Sequence, residues 1–256
     1  MFVVTTPIRP ARFARSSRCT GKQGQFAGAD CETGQVNEDL AAALARVDHA
    51  FASYPRRAVL DGCPHCAGET TVDEHDLYSL TIKLGNTIGD RHDVKSLLPL
   101  LLRELTVSDS LDPGIVLGKL AREQWRTWAS AEQAAINDYL DALWHALLAD
   151  FPSRVGAFVG AADFLAAVVH TDSGVERYLA AWDAVSSGAA DRHLALLVND
   201  FDFRARRADA VVVAWLRRAS TRDRLLAAFE RDHSAPWADE LAAAHDRIVH
   251  ARETLR

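Results

Sequence analysis

Apolar residues recur every three or four positions along most of this chain, which is the spacing that collects side chains on one face of an α-helix. The clearest stripe comprises Ile136, Tyr139, Leu140, Leu143, Trp144, Leu147, Leu148 and Phe151. Similar stripes follow one another from Asn37 toward the C-terminus, separated by Gly, Pro or polar turns. The pattern predicts an all-α fold of about ten amphipathic helices.

The short links between these stripes indicate how the helices pack. Consecutive amphipathic helices joined by short turns favour antiparallel hairpins, because each helix then buries its stripe against its neighbours. From Ser130 onward the predicted helix pairs recur at roughly 40 residues, a period compatible with HEAT-like stacking. No sequence motif recurs with that period. A HEAT-like stack and a compact helical bundle therefore both fit the sequence.

Polar residues ahead of the stripes predict where several helices begin. Asn37 is expected to cap the first helix, because its side chain can accept a hydrogen bond from an unpaired N–H of the first turn. Thr71 with Glu74, and Ser130 with Gln133, have the spacing of a capping box, in which two side chains satisfy each other's backbone N–H groups. Helix starts are predicted at all three places.

Proline and β-branched residues shape the remaining helix predictions. Pro113 suits the first turn of a helix. Pro99 lies within an apolar stripe and predicts a kink or a helix start near Ser96. The segment from Val155 to His170 is apolar on most sides and is expected to be one buried helix. The run Val211–Val213 is β-branched, but its short length and helical neighbours favour a helix.

The first 36 residues differ from the rest of the chain. Five basic residues precede the first acidic one, Asp30, and they are Arg9, Arg12, Arg15, Arg18 and Lys22. Residues 20–25 show no apolar period. We therefore expect residues 1–36 to be a flexible basic N-terminal arm, or the product of a translation start assigned too far upstream. Residues 37–256 are predicted to be a single helical domain, with a subdivision near residue 152 as an alternative.

Charge and hydropathy narrow the class of partner. The chain has 29 basic and 35 acidic residues and a net charge of -6, which argues against a general nucleic-acid binder. The arginines between residues 204 and 224 are interpreted as a solvated face, with nucleic-acid binding as a lesser alternative.

No apolar run approaches the roughly 18–20 residues of a membrane span. Phe2-Val3-Val4 is too short for a secretory signal, so the cytoplasm is the expected compartment.

The sharpest local motif is Cys63-Pro64-His65-Cys66. Two cysteines separated by two residues can bind one metal ion from a tight turn, and a structural zinc site needs two further ligands. The candidates for those ligands are His75, His65, Cys19, Cys31 and His92. A redox-active thiol pair is a weaker interpretation, because such a pair usually lies between a strand and a helix. Two thiols that only pack within the protein are the remaining alternative.

Two other segments have both chemical and structural interpretations. Asp90-Arg91-His92-Asp93 brings acids and an imidazole together, as a general acid–base cluster would. We favour a capping role, in which Asp90 or Asp93 accepts hydrogen bonds from the next helix. Trp125 and Trp128 would suit a partner contact if exposed, but burial between helices is the favoured interpretation.

The middle of the chain resembles a group of uncharacterised bacterial proteins that begin with a CPHC-type loop and continue as helices. The residues that carry the resemblance occur in the order Gly62-Cys63-Pro64-His65-Cys66, Gly89-Asp90, Leu98-Pro99, Gly118-Lys119-Leu120, Trp125, Trp128, Glu132 and Ala142-Leu143-Trp144. The match covers roughly residues 54–151, and Ile88 stands where the group commonly has an aromatic residue. The resemblance implies a helical fold and a bacterial origin, and it brings no assigned activity.

The sequence leads to two functional hypotheses. The first is a non-catalytic helical module that binds a protein partner, for example to neutralise or scaffold it, because the motifs form caps and stripes rather than a catalytic set. The second is a metal- or thiol-dependent enzyme, or a subunit of one, with its site at Cys63 and Cys66. One structural zinc ion is the only cofactor that the sequence suggests.

Overall fold

The structure is a computed structural model that describes residues 29–62, 69–72, 76–171, 174–203 and 210–253. These residues form eleven α-helices and one two-stranded sheet, which confirms the predicted all-α class. In chain order the elements are α1 (Ala29–Ala50), β1 (Val59–Asp61), β2 (Glu69–Thr71), α2 (Leu77–Lys83), α3 (Arg91–Val107), α4 (Pro113–Arg122), α5 (Ser130–Ala149), α6 (Ala161–Val168), α7 (Glu176–Ala184), α8 (Gly188–Asp200), α9 (Ala210–Leu216), α10 (Ala219–Asp232) and α11 (Ala238–Glu253). Short 3-10 helices cover Trp125–Thr127 and Val169–Thr171.

Helices that are distant in sequence form the most extensive contacts. α1 packs along α5, α4 packs against α6, and α8 packs against both α10 and α11. In a HEAT-like stack each repeat would contact only its neighbours in sequence. The α1–α5 contact crosses three intervening helices, which is the arrangement of a compact bundle. Of the predicted hairpins between consecutive helices, α10 with α11 is closely packed.

A group of buried aromatic rings joins the helices of the core. Trp144 on α5 lies 4.9 Å from Phe164 on α6 and 5.3 Å from Trp182 on α7, measured between ring centroids. Trp182 in turn stacks on Trp215 of α9 at 5.2 Å. Aromatic pairs at these distances stabilise a core beyond the area that they bury. The group joins helices on both sides of residue 152, near which the sequence allowed a subdivision.

Of the three capped helix starts that the sequence predicts, those at Asn37 and Thr71 are wrong, and α5 does begin at Ser130. α1 begins at Ala29 rather than Asn37, because its first turns carry no apolar stripe that periodicity could detect. Residues 29–36 of the predicted N-terminal arm are therefore helical, and residues 1–28 lie outside the described residues. Thr71 is the last residue of β2, where it pairs with Val59, and the next α-helix, α2, begins at Leu77 rather than directly after Thr71. Glu74, its predicted partner, lies outside the described residues.

The observed caps lie close to the predicted ones. Asp76 caps α2, and its carboxylate accepts a hydrogen bond from the Ser79 N–H at 2.9 Å. At α5 the cap position is Ala129 rather than Ser130, and the Glu132 carboxylate accepts from the Ala129 N–H at 3.1 Å. Side chains near the start of each helix compete for the same few backbone donors, so sequence spacing alone leaves the cap uncertain by one or more residues.

Proline and glycine explain the other differences. α3 runs from Arg91 through Pro99 without interruption, so the start predicted near Ser96 is wrong. The helix predicted from Val155 to His170 is reduced to α6, because Gly156 adopts a positive φ of 33° and the following Ala157 N–H binds a carbonyl of α3. The predictions of Pro113 at a helix start and of a helix over Val211–Val213 are confirmed.

None of the helices in the described part of the chain is both long and apolar enough to cross a lipid bilayer.

Candidate functional site

Most of the predicted metal ligands fall outside the described residues. These are Cys19, Cys63, His65, Cys66 and His75. Cys31 lies within α1, but its side chain is outside the described part of the structure. Within the described residues, no group of three or more His, Cys, Asp or Glu side chains could hold a metal ion. The zinc hypothesis therefore stays a prediction.

The described strands β1 and β2 border the segment that contains Cys63 and Cys66. The strands are antiparallel, with Val59 opposite Thr71 and Asp61 opposite Glu69. The Val72 N–H extends the ladder by donating to the Ala58 carbonyl at 2.8 Å. The undescribed segment 63–68 is thus bordered by Gly62, which directly follows β1, and by Glu69, which is the first residue of β2. This hairpin was not predicted, because strands of three residues are too short to show alternation.

The hairpin is anchored to the turn between α2 and α3. The Asp61 carbonyl accepts a hydrogen bond from the Gly89 N–H at 2.8 Å, and Gly62 forms an isolated β-bridge with Ile88. Leu60, between the two outward-facing residues of β1, is buried in the core. Because a small isolated hairpin is marginally stable in water, these anchors hold it in place.

Arg57 and Asp93 connect the base of the hairpin to α3. The Arg57 guanidinium donates from Nε to the Asp93 carboxylate at 2.7 Å and from Nη2 to its second oxygen. Arg57 Nη1 also donates to Asp61 of β1 at 3.1 Å. Burial alone would raise the pKa of Asp93, but the hydrogen bonds from Arg57 and from the Asp90 N–H outweigh it and lower this pKa.

The segment 90–93 has the predicted capping role. The Asp90 carboxylate accepts hydrogen bonds from the backbone N–H groups of His92 at 2.7 Å and Asp93 at 3.0 Å. In return, the Asp93 carboxylate accepts from the Asp90 N–H at 2.8 Å. The His92 ring is exposed and lies edge-on to Tyr54, with 4.8 Å between ring centroids. The two carboxylates therefore hold the start of α3.

A second buried network lies along α3. Lys95 Nζ donates to Glu132 of α5 at 2.7 Å and to the Tyr54 hydroxyl at 3.0 Å, while that hydroxyl donates to Glu132 at 2.6 Å. The Trp128 ring covers the ammonium group at 4.5 Å. Burial would raise the pKa of Glu132, but the hydrogen bonds from Lys95 and Tyr54 lower it. The network joins the end of α1 to α3 and α5.

The hairpin, the α2–α3 turn and Arg57 enclose a shallow cleft of about 270 Å³. Its lining residues are Arg57, Asp61, Gly62, Asn86, Thr87, Gly89 and Asp90. The side chains of Asp61 and Asp90 are 78% and 66% exposed, so both carboxylates are accessible to solvent. The cleft offers carboxylate, amide and hydroxyl groups to whatever contacts it.

Several residues of these networks were missed by the sequence predictions. Arg57, Lys95 and Glu132 belong to no chemical motif, and the buried ion pairs Arg57–Asp93 and Lys95–Glu132 join residues that are 36 and 37 positions apart in the chain. The one sequence feature that could have indicated these residues is the place of Lys95 and Glu132, which are charged residues within or beside apolar helical stripes. Trp125 and Trp128 are both buried, as the favoured interpretation expected.

The arginine cluster is only partly a solvated face. Arg224 is mostly buried, donates to Asp191 at 2.7 Å, and also donates to the Trp182 and Val185 carbonyls. Asp191 pairs on its other oxygen with Arg231 at 2.9 Å. Arg218 and Arg222 form ion pairs at the surface with Asp183 and Asp223. Residues 204–209 of the cluster lie outside the described part of the chain.

Comparison with known proteins adds no family. No protein-family model, no curated protein and no solved structure matches this chain at a significant level.

Proposed function

We propose that this chain is a non-catalytic helical module that works in the bacterial cytoplasm by binding another protein, which it neutralises or scaffolds. One observation carries the proposal. Of the seven exposed large apolar side chains among the described residues, three lie within the segment 59–83: Val59, Tyr78 and Ile82. Exposed apolar side chains that gather on a firmly anchored part of a protein are typical of a protein contact site.

The buried carboxylates of Asp93 and Glu132 are arranged for a structural role rather than a catalytic one. A general acid or base must present a proton-accepting or proton-donating face to its substrate. The Asp93 carboxylate instead receives hydrogen bonds from Arg57 and Asp90, and the Glu132 carboxylate receives them from Lys95, Tyr54 and Ala129. Their arrangement fixes the hairpin and α3 in position, as a rigid binding surface requires.

Native mass spectrometry tests the proposal, on protein cross-linked in its own host and then purified gently. We expect a second protein chain in a fixed ratio to this one. The Tyr78→Ala and Ile82→Ala double variant serves as a probe of the contact, and Val159→Ala, an exposed apolar residue elsewhere, serves as its control. Recovery of this chain alone, after cross-linking at several densities, would contradict the proposal.

A metal- or thiol-dependent site at Cys63 and Cys66 is the second candidate, and the hairpin is the observation that favours it. Paired strands on both sides of a CxxC motif are a usual support for a zinc knuckle, and thiolate and imidazole ligands suit zinc. The residues that would hold the ion are Cys63 and Cys66, with two further ligands among His75, His65, Cys19 and Cys31. Such an ion would stabilise the hairpin; a catalytic form would also need an open coordination position.

Metal analysis separates these forms. One zinc per chain, lost in Cys63→Ser but retained in the double variant Cys19→Ser, Cys31→Ser, would assign a site of two cysteines and histidines. Loss in both would assign four cysteines. A metal-dependent turnover that disappears in Cys63→Ser while the fold persists would support the enzyme, and zinc-free protein would contradict a resident ion.

A further inference from the structure

We propose that the partner docks on one continuous face, the hairpin–α2 face, with a segment that carries a Lys or Arg between apolar residues. The hairpin–α2 face consists of Val59 and Asp61 on β1, Tyr78 and Ile82 on α2, and the cleft that adjoins both elements. This inference rests on the proposed function and specifies where and with what chemistry the partner is bound.

The hairpin contributes one apolar and one acidic group to this face. Along β1 the exposure alternates, with Val59 and Asp61 exposed and Leu60 buried between them. Residues two apart in a strand point to the same side, so Val59 and Asp61 share the outer side of β1. Asp61 also lines the cleft, which places the cleft beside Val59.

α2 contributes the apolar stripe. Tyr78 and Ile82 are 47% and 41% exposed and lie four residues apart, so they share one side of the helix, while Leu80 and Thr81 face the core. The Asn86 side-chain amide donates to the Ile82 carbonyl at 2.6 Å, and Asn86 lines the cleft. The C-terminal end of α2 therefore adjoins the same cleft as Asp61.

Charge determines the kind of segment that fits. The cleft contains one cation, Arg57, whose guanidinium is engaged by the buried Asp93 carboxylate. Arg57 also pairs with Asp61 at 3.1 Å and with Asp90 at 3.6 Å, so this one cation faces three carboxylates, of which those of Asp61 and Asp90 are largely exposed. α2 adds one acidic residue at its start, Asp76, and one basic residue in its last turn, Lys83, so it does not change the net charge of the face. The face is thus net negative, as is the whole chain at -6, and it favours a cationic side chain.

The size and charge of the cleft disfavour other occupants. Pockets for small-molecule ligands usually exceed about 300 Å³ and are mostly apolar, whereas this cleft is about 270 Å³ and carries charged and polar groups on much of its lining. A phosphate-bearing ligand such as a nucleic acid would meet two exposed carboxylates. A second copy of this chain, docked through the same face, would bring like charges together. A Lys or Arg side chain from a partner, flanked by apolar residues on Val59, Tyr78 and Ile82, satisfies both parts of the face.

Peptide binding to the full chain tests this inference. The probes are a fluorescein-labelled amphipathic peptide of Lys and Leu and its matched counterpart of Glu and Leu. We expect the basic peptide to bind, with affinity that falls as salt is added, and the acidic one not to bind. Tyr78→Ala with Ile82→Ala should weaken binding at least about tenfold. Asp61→Asn with Asp90→Asn should weaken it similarly and flatten the salt dependence, and Asn at position 90 keeps a capping side chain.

Val159→Ala is the matched control, because Val159 is 71% exposed and lies outside the hairpin–α2 face. It should change the affinity less than about twofold. Equal losses in Val159→Ala and in the Tyr78, Ile82 variant would overturn the inference, since binding would then be non-specific. Tighter binding by a synthetic peptide of residues 1–28 at the same face would also overturn it and assign the face to the chain's own basic segment.

Experiment can distinguish failure of the proposed docking face from failure of the proposed protein-binding function. If the partner cross-linked in the host binds the Tyr78, Ile82 variant as tightly as the original chain, the hairpin–α2 face is wrong and the protein-binding function stands. If no partner is recovered with any variant, the protein-binding function itself fails.

Discussion

Lys95 Nζ lies 2.7 Å from the Glu132 carboxylate, and the two side chains are 10% and 5% exposed. A folded protein tolerates such buried charges only when each is paired with an opposite charge and its remaining hydrogen-bonding groups are satisfied. Here the Tyr54 hydroxyl bridges both groups, and the Trp128 ring covers the ammonium. The pair therefore fixes the relative positions of α3 and α5 close to the base of the hairpin.

Replacement of Lys95 by Met should destabilise the protein strongly, because it leaves the Glu132 carboxylate buried without its cation. We expect a loss of about 3–5 kcal/mol in the free energy of unfolding, measured by urea denaturation. The control is Arg46→Met, which breaks the half-exposed pair with Asp138 and should cost less than about 1 kcal/mol. Equal losses in the two variants would contradict a special role for the buried pair.

Asp93→Asn tests the connection between Arg57 and α3. The variant removes a buried carboxylate that accepts from Arg57 and from the Asp90 N–H, so we expect a loss of about 2 kcal/mol at pH 7. The exposed Asp61 is the control, and Asp61→Asn should cost less than about 0.5 kcal/mol. Urea denaturation gives both values.

The pH dependence of the same variant gives an independent check. Because the pKa of Asp93 is lowered in the folded state, its contribution to stability is complete above the ordinary value of 3.8 and is lost as the pH falls through the folded pKa. The difference between the original chain and Asp93→Asn should therefore be constant above about pH 5 and shrink in stronger acid. A difference that persists unchanged at pH 2 would refute the ionised pair.

The helical class of the fold could be predicted because a helix that packs on one side leaves a periodic trace within its own sequence. Such traces identified α5 and most of the other helices. The Asp90 cap and the burial of Trp125 and Trp128 could be predicted for the same reason, since a cap and a short aromatic pair are local patterns.

The hairpin and the buried networks left no such trace. Strands of three residues are shorter than the pattern that would reveal them, and the partner of Lys95 lies 37 positions away. The segment around Val155 and Phe158 is as apolar as a buried helix, yet it packs as an irregular chain. Its conformation depends on Gly156 and on a carbonyl of α3, neither of which a local pattern includes.

Gly156→Ala should prevent stable folding. A Cβ atom at this position would lie 2.6 Å from the Thr106 carbonyl carbon and 2.8 Å from the Val107 nitrogen, and the φ of 33° is unfavourable for any side chain. The matched control is Gly118→Ala within α4, where the nearest atom to a new Cβ is 4.0 Å away. We expect Gly118→Ala to be neutral or stabilising by up to about 1 kcal/mol. A melting temperature for Gly156→Ala within a few degrees of the control would contradict this packing.

His193 should make the protein less stable as the pH falls below neutrality. Its ring is buried, its Nε2 lies 2.9 Å from the Asp150 carbonyl, and burial lowers its pKa from the ordinary value of 6.5, with the neighbouring Arg192 adding to the effect. Between the folded pKa and 6.5 the unfolded chain binds more protons than the folded one, so stability is complete above pH 6.5 and declines below it. The decline is at most about 1.4 kcal/mol for each pH unit in that interval.

Urea denaturation at pH 7.5 and pH 5.5 measures this decline, and His193→Gln should remove most of it, because a glutamine amide does not titrate. His170→Gln, at an exposed position, is the control and should keep the pH dependence of the original chain. If His193→Gln keeps it as well, another group is responsible for the acid sensitivity and the buried imidazole is not the cause.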